Sequence, residues 1–262
     1  MGNSNINETG MIYGAYLNSY GSWTIQTRNV CMYLIVGTEK AMLIDTGYGE
    51  GDLPEVIAGI TDLPIVVVNT HGHYDHTSGN PFFTKVWMGK GGEGPALECE
   101  SRKHLPYPNY EICTLEDGQI FDLGGAVVEC ISIGAHHCSS FAFLHKEGRT
   151  VYTGDELEAA QVLLCVSGEN VPAEELAVRH MNNMQKLKSR SAEFDRLAPA
   201  HNGGPLDNSY IDDFIELSKR FIAGTADVAG TCAGYGWPNN IFGGDEALKR
   251  ISYKKATFVV AK

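Results

Sequence analysis

Apolar residues fall along this chain in short runs broken by glycines and charged turns, and the runs come in two batches. Residues 31–36 (CMYLIV) and Ala41–Ile44 (AMLI) read as strands joined by the turn Gly37-Thr38-Glu39-Lys40. A helix is expected over about 53–60, with Pro54 suited to its first turn. Ile65–Val68 (IVVV) is apolar at every position, the mark of a strand covered on both faces. Lys85–Met88 reads as another strand, followed by a Gly-rich connection through Gly94. In the second batch, 127–133, 141–144 and 150–152 are strand-like, and 196–198 is a short strand. Helical period is found over 172–187 and Ser209–Ile222, and strand character returns at 256–260. Two batches of strands, each accompanied by helices, predict two packed sheets with helices outside, an α/β or α+β layering. No internal repeat or linker-like tract divides the chain, so a single domain over 1–262 is expected. The role of the stretch beyond about 223 stays open between completing a sheet, covering a site and forming a dimer contact.

Composition narrows the function classes. The 262 residues are 43% apolar and 20% charged, which is ordinary globular usage. A formal net charge of −12, from 32 acids against 20 bases, argues against a nucleic-acid partner, because phosphate backbones are bound through Lys and Arg. The small basic groups at 102–103 and 186–190 read as solvated helix faces. Seven cysteines form no C-x-x-C pair and are odd in number, which fits reduced thiols in a cytoplasmic protein. The polar start MGNSNINETG carries no apolar signal region, and no apolar run reaches the ~18–20 residues of a membrane span, so no membrane partner is expected.

The chemistry concentrates behind the buried strand, in His71-Gly72-His73-Tyr74-Asp75-His76. Four candidate metal ligands lie within six residues. His71 and His73 can point the same way in extended backbone, while Asp75 and His76 can face a second ion. Gly72 leaves room beside the ligands. More candidates stand at strand ends: His136 and His137 in Gly134-Ala135-His136-His137-Cys138-Ser139-Ser140, Asp155 in Thr153-Gly154-Asp155, and His201 in Pro199-Ala200-His201. Nothing else in the chain supplies a competing engine. There is no G-x-S-x-G elbow and no P-loop, and the Gly-rich stretch 89–94 lacks P-loop order and reads as a connection.

The ordered set of HxHxDH, a His in a Gly/Ser loop, TGD and a late His resembles the metallo-β-lactamase superfamily, and Asp45-Thr46-Gly47 matches its early motif. The resemblance covers about 30–205. It implies a four-layer αββα sandwich with two divalent ions, zinc first and iron or manganese as alternatives, at one edge between the sheets. His71, His73 and His136 would hold the first ion, Asp75, His76 and His201 the second, and Asp155 would bridge them. Asp45 would steady the ligand loop. His136 is preferred to His137 because Ser140 then aligns with the motif's last Ser, and Cys138 reads as structural.

A carboxylate at 155 together with His76 is similar to the glyoxalase II and lactonase branches more than to the β-lactamases. The implied activity is a dinuclear hydrolase in which a shared water, acidified to hydroxide, cleaves the ester, thioester or lactone of a small molecule, with Asp75 orienting that water. A mononuclear iron dioxygenase acting on persulfides is the alternative, as are β-lactam or phosphodiester hydrolysis at the same site and a metal-binding module without catalysis. Tyr107–Tyr110, Phe82-Phe83 and Tyr235-Gly236-Trp237 are candidate pocket walls, although core packing is the favoured reading of each. Residues 157–180 could form a lid, and His180 reads as a surface residue. A homodimer is admitted.

Overall fold

Along two adjacent strands, successive side chains enter two different cores, and this alternation organises the molecule. A computed structural model describes residues 4–6, 12–97, 105–231 and 248–261. In the first half, β1 (Ser4–Ile6), β2 (Ile12–Leu17), β3 (Trp23–Thr27), β4 (Val30–Val36) and β5 (Ala41–Ile44) precede α1 (Leu53–Ala58). Then come β6 (Ile65–Val68), α2 (Tyr74–Thr77), β7 (Lys85–Met88), α3 (Glu93–Leu97) and β8 (Glu111–Thr114). The second half holds β9 (Ile120–Asp122), β10 (Val127–Ser132), β11 (Phe141–His145), β12 (Thr150–Gly154), β13 (Val162–Leu163) and α4 (Ala173–Ser189). It continues with β14 (Arg196–Pro199), α5 (Ser209–Ile222), β15 (Asp227–Thr231), β16 (Leu248–Tyr253) and β17 (Ala256–Ala261).

The first sheet runs β1 to β8 in sequence order, antiparallel as far as β5 and parallel from β5 to β8. The second has the order β14-β12-β11-β10-β9, with a parallel β12–β14 pair. Tyr33, Ile35, Met42 and Ile44 of the first sheet meet Val128, Cys130, Phe143 and Tyr152 of the second in the central core. Between the sheets the rings of Tyr33 and Tyr152 pack at 4.7 Å. The alternate residues Met32, Leu34, Ala41 and Leu43 face outward and are covered by Leu53, Val56 and Ile57 of α1. Burial on both faces is why these strands carry so few polar residues. Asp52 caps α1 by accepting from Glu55 N at 2.9 Å, with Pro54 in the first turn as expected.

On the outer face of the second sheet, Leu144, Val151 and Leu197 pack with Leu176, Met184 and Leu187 of α4 and Ile211, Phe214 and Leu217 of α5. Ile251, Phe258 and Val260 join the same core. They belong to a further four-stranded sheet of order β13-β17-β16-β15, which the apolar pattern reveals only at its 256–260 strand. The described residues beyond 223 therefore form a sheet together with β13. The layering is the expected αββα sandwich, with this small sheet added beside the helices.

The sandwich matters for function because several strands end at one edge. β5 ends at Asp45, β6 leads to His71, β12 to Asp155 and β14 to His201, while His136 lies between β10 and β11. Carboxyl ends of parallel strands commonly build ligand sites in layered folds.

Candidate metal centre

The loop after β6 is held in place before any ligand is considered. Asn69 N donates to Trp87 O at 2.8 Å, and Asn69 Nδ2 donates to His76 O at 3.0 Å. Asp45, buried and with a positive φ of 63°, accepts from Thr70 N at 2.7 Å and Thr70 Oγ1 at 2.8 Å. Its Oδ2 also accepts from His76 Nδ1 at 2.9 Å. Asp45 thus joins both ends of the loop, the steadying role expected of it. A Cβ on Gly72 would lie 2.5 Å from Gly92 O, so the glycine lets the loop press against the Gly-rich connection. The short helix α2 then carries Asp75 and His76.

Every histidine in the set has one ring nitrogen tied to the protein. His71 Nδ1 lies 3.1 Å from Thr70 Oγ1, and because that hydroxyl donates to Asp45, it accepts from His71. His73 Nε2 donates to Val166 O at 3.2 Å, His136 Nδ1 to Leu163 O at 2.9 Å, and His201 Nδ1 to Asn29 O at 2.7 Å. Such partners fix ring orientation and leave the other nitrogen to a metal. Those other nitrogens converge. His73 Nδ1 is 2.8 Å from His71 Nε2 and 3.1 Å from His136 Nε2.

Two groups result, His71, His73, His136 and Asp155 in one and Asp75, His76 and His201 in the other, with each group's ligand atoms within 4.8 Å of one another. Asp155 reaches into both. Its Oδ1 is 3.3 Å from His76 Nε2 and 3.4 Å from His201 Nε2, while Oδ2 is 3.6 Å from His136 Nε2. Asp75 Oδ2 lies 3.3 Å from His201 Nε2. All seven residues expected from the sequence are brought together, and His136 rather than His137 enters the cluster. His137 instead sets Nδ1 2.8 Å from Ser139 Oγ.

Divalent ions fit this donor set. His76 Nε2 and Asp155 Oδ1 are buried without a hydrogen-bond partner although they face each other, an arrangement that a shared cation would satisfy. Burial lowers His71 well below the usual histidine range, His73 to about 4 and His136 to about 3, so these rings are neutral, as a metal ligand must be. At His201 burial acts in the same direction, but Asp155 and Asp75 outweigh it and raise the ring to about 10. His76 is raised in the same way by Asp155, Asp75 and Asp45. The second group therefore attracts positive charge, from protons or from an ion.

Other residues near the centre were not singled out in the sequence. Buried Glu156 accepts from His136 N at 2.8 Å and Ala135 N at 3.2 Å, tying the third-His loop to the Asp155 turn. Buried Glu158 accepts from Asn202 Nδ2 at 2.5 Å, beside His201. Their sequence signal is the acid-rich Asp155-Glu156-Leu157-Glu158, in which two acids have no surface to occupy. Tyr48 and Tyr74 border Asp75, their rings 5.7 Å apart.

Of the candidate pocket walls, three aromatic residues take the core-packing reading favoured for them. Phe82, Phe83 and Tyr110 pack into the outer core of the first sheet, and Tyr107 is exposed. Tyr235 and Trp237 lie outside the described residues. The stretch 157–180 does flank the site, since Leu163 and Val166 supply the carbonyls that orient His136 and His73. His180, expected at the surface, is fully buried. Its Nε2 donates to Glu156 O at 2.7 Å and its ring packs on Phe214 and Phe258. A satisfied donor and two aromatic neighbours make that burial tolerable.

Comparison with known proteins agrees with this geometry. The metallo-beta-lactamase superfamily profile matches residues 26–212. The lactamase-like protein ptaB of Pestalotiopsis fici is 29% identical over 185 residues, covering 69% of this chain and 52% of the relative. An atrochrysone carboxyl ACP thioesterase of Cryptosporiopsis sp. is 30% identical over 187 residues, covering 69% and 51%. The chain thus spans about half the length of these curated relatives. A solved metallo-beta-lactamase from Pontibacter korlensis superposes with a TM-score of 0.57 at 18% identity, covering 84% of this chain and 99% of that one, a likeness of fold. The chain belongs to the metallo-beta-lactamase superfamily, and its two His/Asp groups suit a pair of metal ions.

Proposed function

We propose that this chain hydrolyses the thioester of a small carboxylic acid, with esters and lactones as related substrates, using two divalent ions, zinc by preference. The observation that carries the dinuclear reading is Asp155, whose two oxygens face the two groups separately, Oδ1 toward His76 and His201 and Oδ2 toward His136. Thioester chemistry draws support from similarity to fungal ACP thioesterases. Nitrogen and carboxylate donors in this proportion suit zinc.

His71, His73 and His136 would hold one ion, Asp75, His76 and His201 the other, and Asp155 would touch both. Ions held there would acidify a shared water toward neutral pH and polarise the scissile carbonyl. Asp75 turns Oδ2 toward His201 and His76, leaving Oδ1 to orient the attacking water. Burial works to raise the Asp75 carboxyl, but His76 and His201 hold it below the usual range, so it stays an acceptor. Val166, Leu163 and Asn29 keep three of the rings from rotating away.

Metal analysis by mass spectrometry, run beside a hydrolysis screen, tests this. Purified protein should carry about two divalent ions, Asp155→Ala should carry fewer, and thioesters should be turned over by the loaded form. One tightly held iron with no hydrolysis of any thioester, ester or lactone would overturn the proposal.

A further inference from the structure

The ligands are unequally covered, and the difference shows where a substrate comes in. His76 is wholly buried, and His71 and His136 are 1% exposed. The Asp75 side chain is 14% exposed, against 10% for Asp155 and for His201. Asp75, with His73 also partly exposed, therefore marks the open part of the centre.

Two tyrosines with rings 5.7 Å apart stand next to Asp75, one of them its neighbour in the chain. Tyr74 directly precedes Asp75 and is 46% exposed. Tyr48 comes from the loop after β5, which approaches α2 so closely that a Cβ on Gly49 would lie 2.3 Å from Ser78 O. The two rings are tilted by 59°. Tyr48 is braced on its other contacts. Its hydroxyl donates to Asn29 Oδ1 at 2.7 Å, and Arg28 Cζ lies 4.8 Å from its ring centroid. Arg28 in turn is paired with Glu50 at 2.5 Å. Asn29 is the same residue whose carbonyl holds His201, so the brace and the metal centre share one anchor.

We propose that Tyr48 and Tyr74 form an aromatic ledge on which the acyl group of the substrate lies, selecting aromatic over small aliphatic acyl groups. This rests on the hydrolase reading above. A flat acyl group on the ledge places its carbonyl toward Asp75, and Tyr48, already fixed by Asn29 and Arg28, loses little freedom on binding. One aromatic contact of this kind corresponds to about a 3- to 10-fold preference.

The test compares benzoyl and acetyl thioesters of one small thiol in the wild type, Tyr74→Ala and Tyr74→Phe. The benzoyl-to-acetyl ratio of kcat/KM should fall about 3- to 10-fold in Tyr74→Ala and be retained in Tyr74→Phe. Benzoate binding to the metal-free protein, read by calorimetry, should weaken by a similar factor in Tyr74→Ala alone. Turnover of both thioesters with an unchanged ratio and unchanged benzoate binding overturns the ledge and leaves the hydrolase reading standing. Tyr74-dependent benzoate binding without turnover of either thioester supports the ledge and counts against thioester hydrolysis alone. An equal loss of ratio in Tyr74→Phe also overturns the ledge, because the ring would then not be what selects.

Discussion

Asp45 and His76 stand 31 residues apart and are joined by a 2.9 Å hydrogen bond, with side chains 1% and 0% exposed. The same carboxylate holds Thr70 through two bonds, so it sets His71 and His76 together. An Asp45→Asn side chain tolerates the left-handed backbone but offers a single acceptor oxygen. Metal affinity, read by competition with a chelating dye, should fall about 10- to 100-fold. The circular dichroism spectrum should stay that of the wild type.

His136 and His137 are adjacent, yet only His136 turns a nitrogen toward His73, at 3.1 Å. His136→Ala should lose about one ion per chain and His137→Ala should keep both, by mass spectrometry of the dialysed proteins. The reverse pattern would place His137 in the ligand set.

His180 gives the fold a pH dependence separate from the ligands. Burial lowers its ring from 6.5 to about 4. Between those two values the unfolded chain binds the extra proton and the folded chain does not, so stability rises with pH across this window. As pH falls from 6.5 to about 4, this residue alone should cost about 3 kcal/mol. In His180→Gln, which keeps a donor for Glu156 O, the slope of unfolding free energy against pH from urea melts should drop by about one proton over that range.

Removing metal should destabilise the protein as well as silence it. The second group gathers Asp75 and Asp155 beside His76 and His201, and an ion binding only the folded chain adds its binding energy to stability. At free metal ~100 times the dissociation constant the gain is about 2.7 kcal/mol. For a chain of this size that corresponds to a Tm rise of roughly 5–10 °C on reloading chelated protein. Scanning calorimetry of stripped and reloaded protein would show it.

The parts of this structure that the sequence exposes are those whose side chains carry the information. Ile65–Val68 is a strand because nothing polar interrupts it, and His71, His73, Asp75 and His76 stand out because imidazoles and carboxylates are rarely spaced so closely by accident, while His136, Asp155 and His201 show through their places at strand ends. β2 and β3 escape the pattern because Tyr, Thr, Gln and Gly break their apolar runs. β13 is only two residues long, and β16 carries Lys249, Arg250 and Ser252. Around the centre, three of the orienting groups are backbone carbonyls, of Asn29, Leu163 and Val166. Any residue type supplies a carbonyl, so no letter in the sequence marks them. Tyr48 is an ordinary tyrosine until the fold sets its ring 5.7 Å from that of Tyr74, the residue before Asp75.

Those same carbonyls determine when in folding a metal can be captured. His136 is oriented by a residue 27 positions away, His73 by one 93 away and His201 by one 172 away. In a zinc finger the ligands are near neighbours and the ion drives folding of the segment that holds it. Here the orienting contacts are of long range, a kind that forms slowly. An ion taken up here would meet a site already closed around its own backbone, so metal capture is expected late in folding rather than at its start.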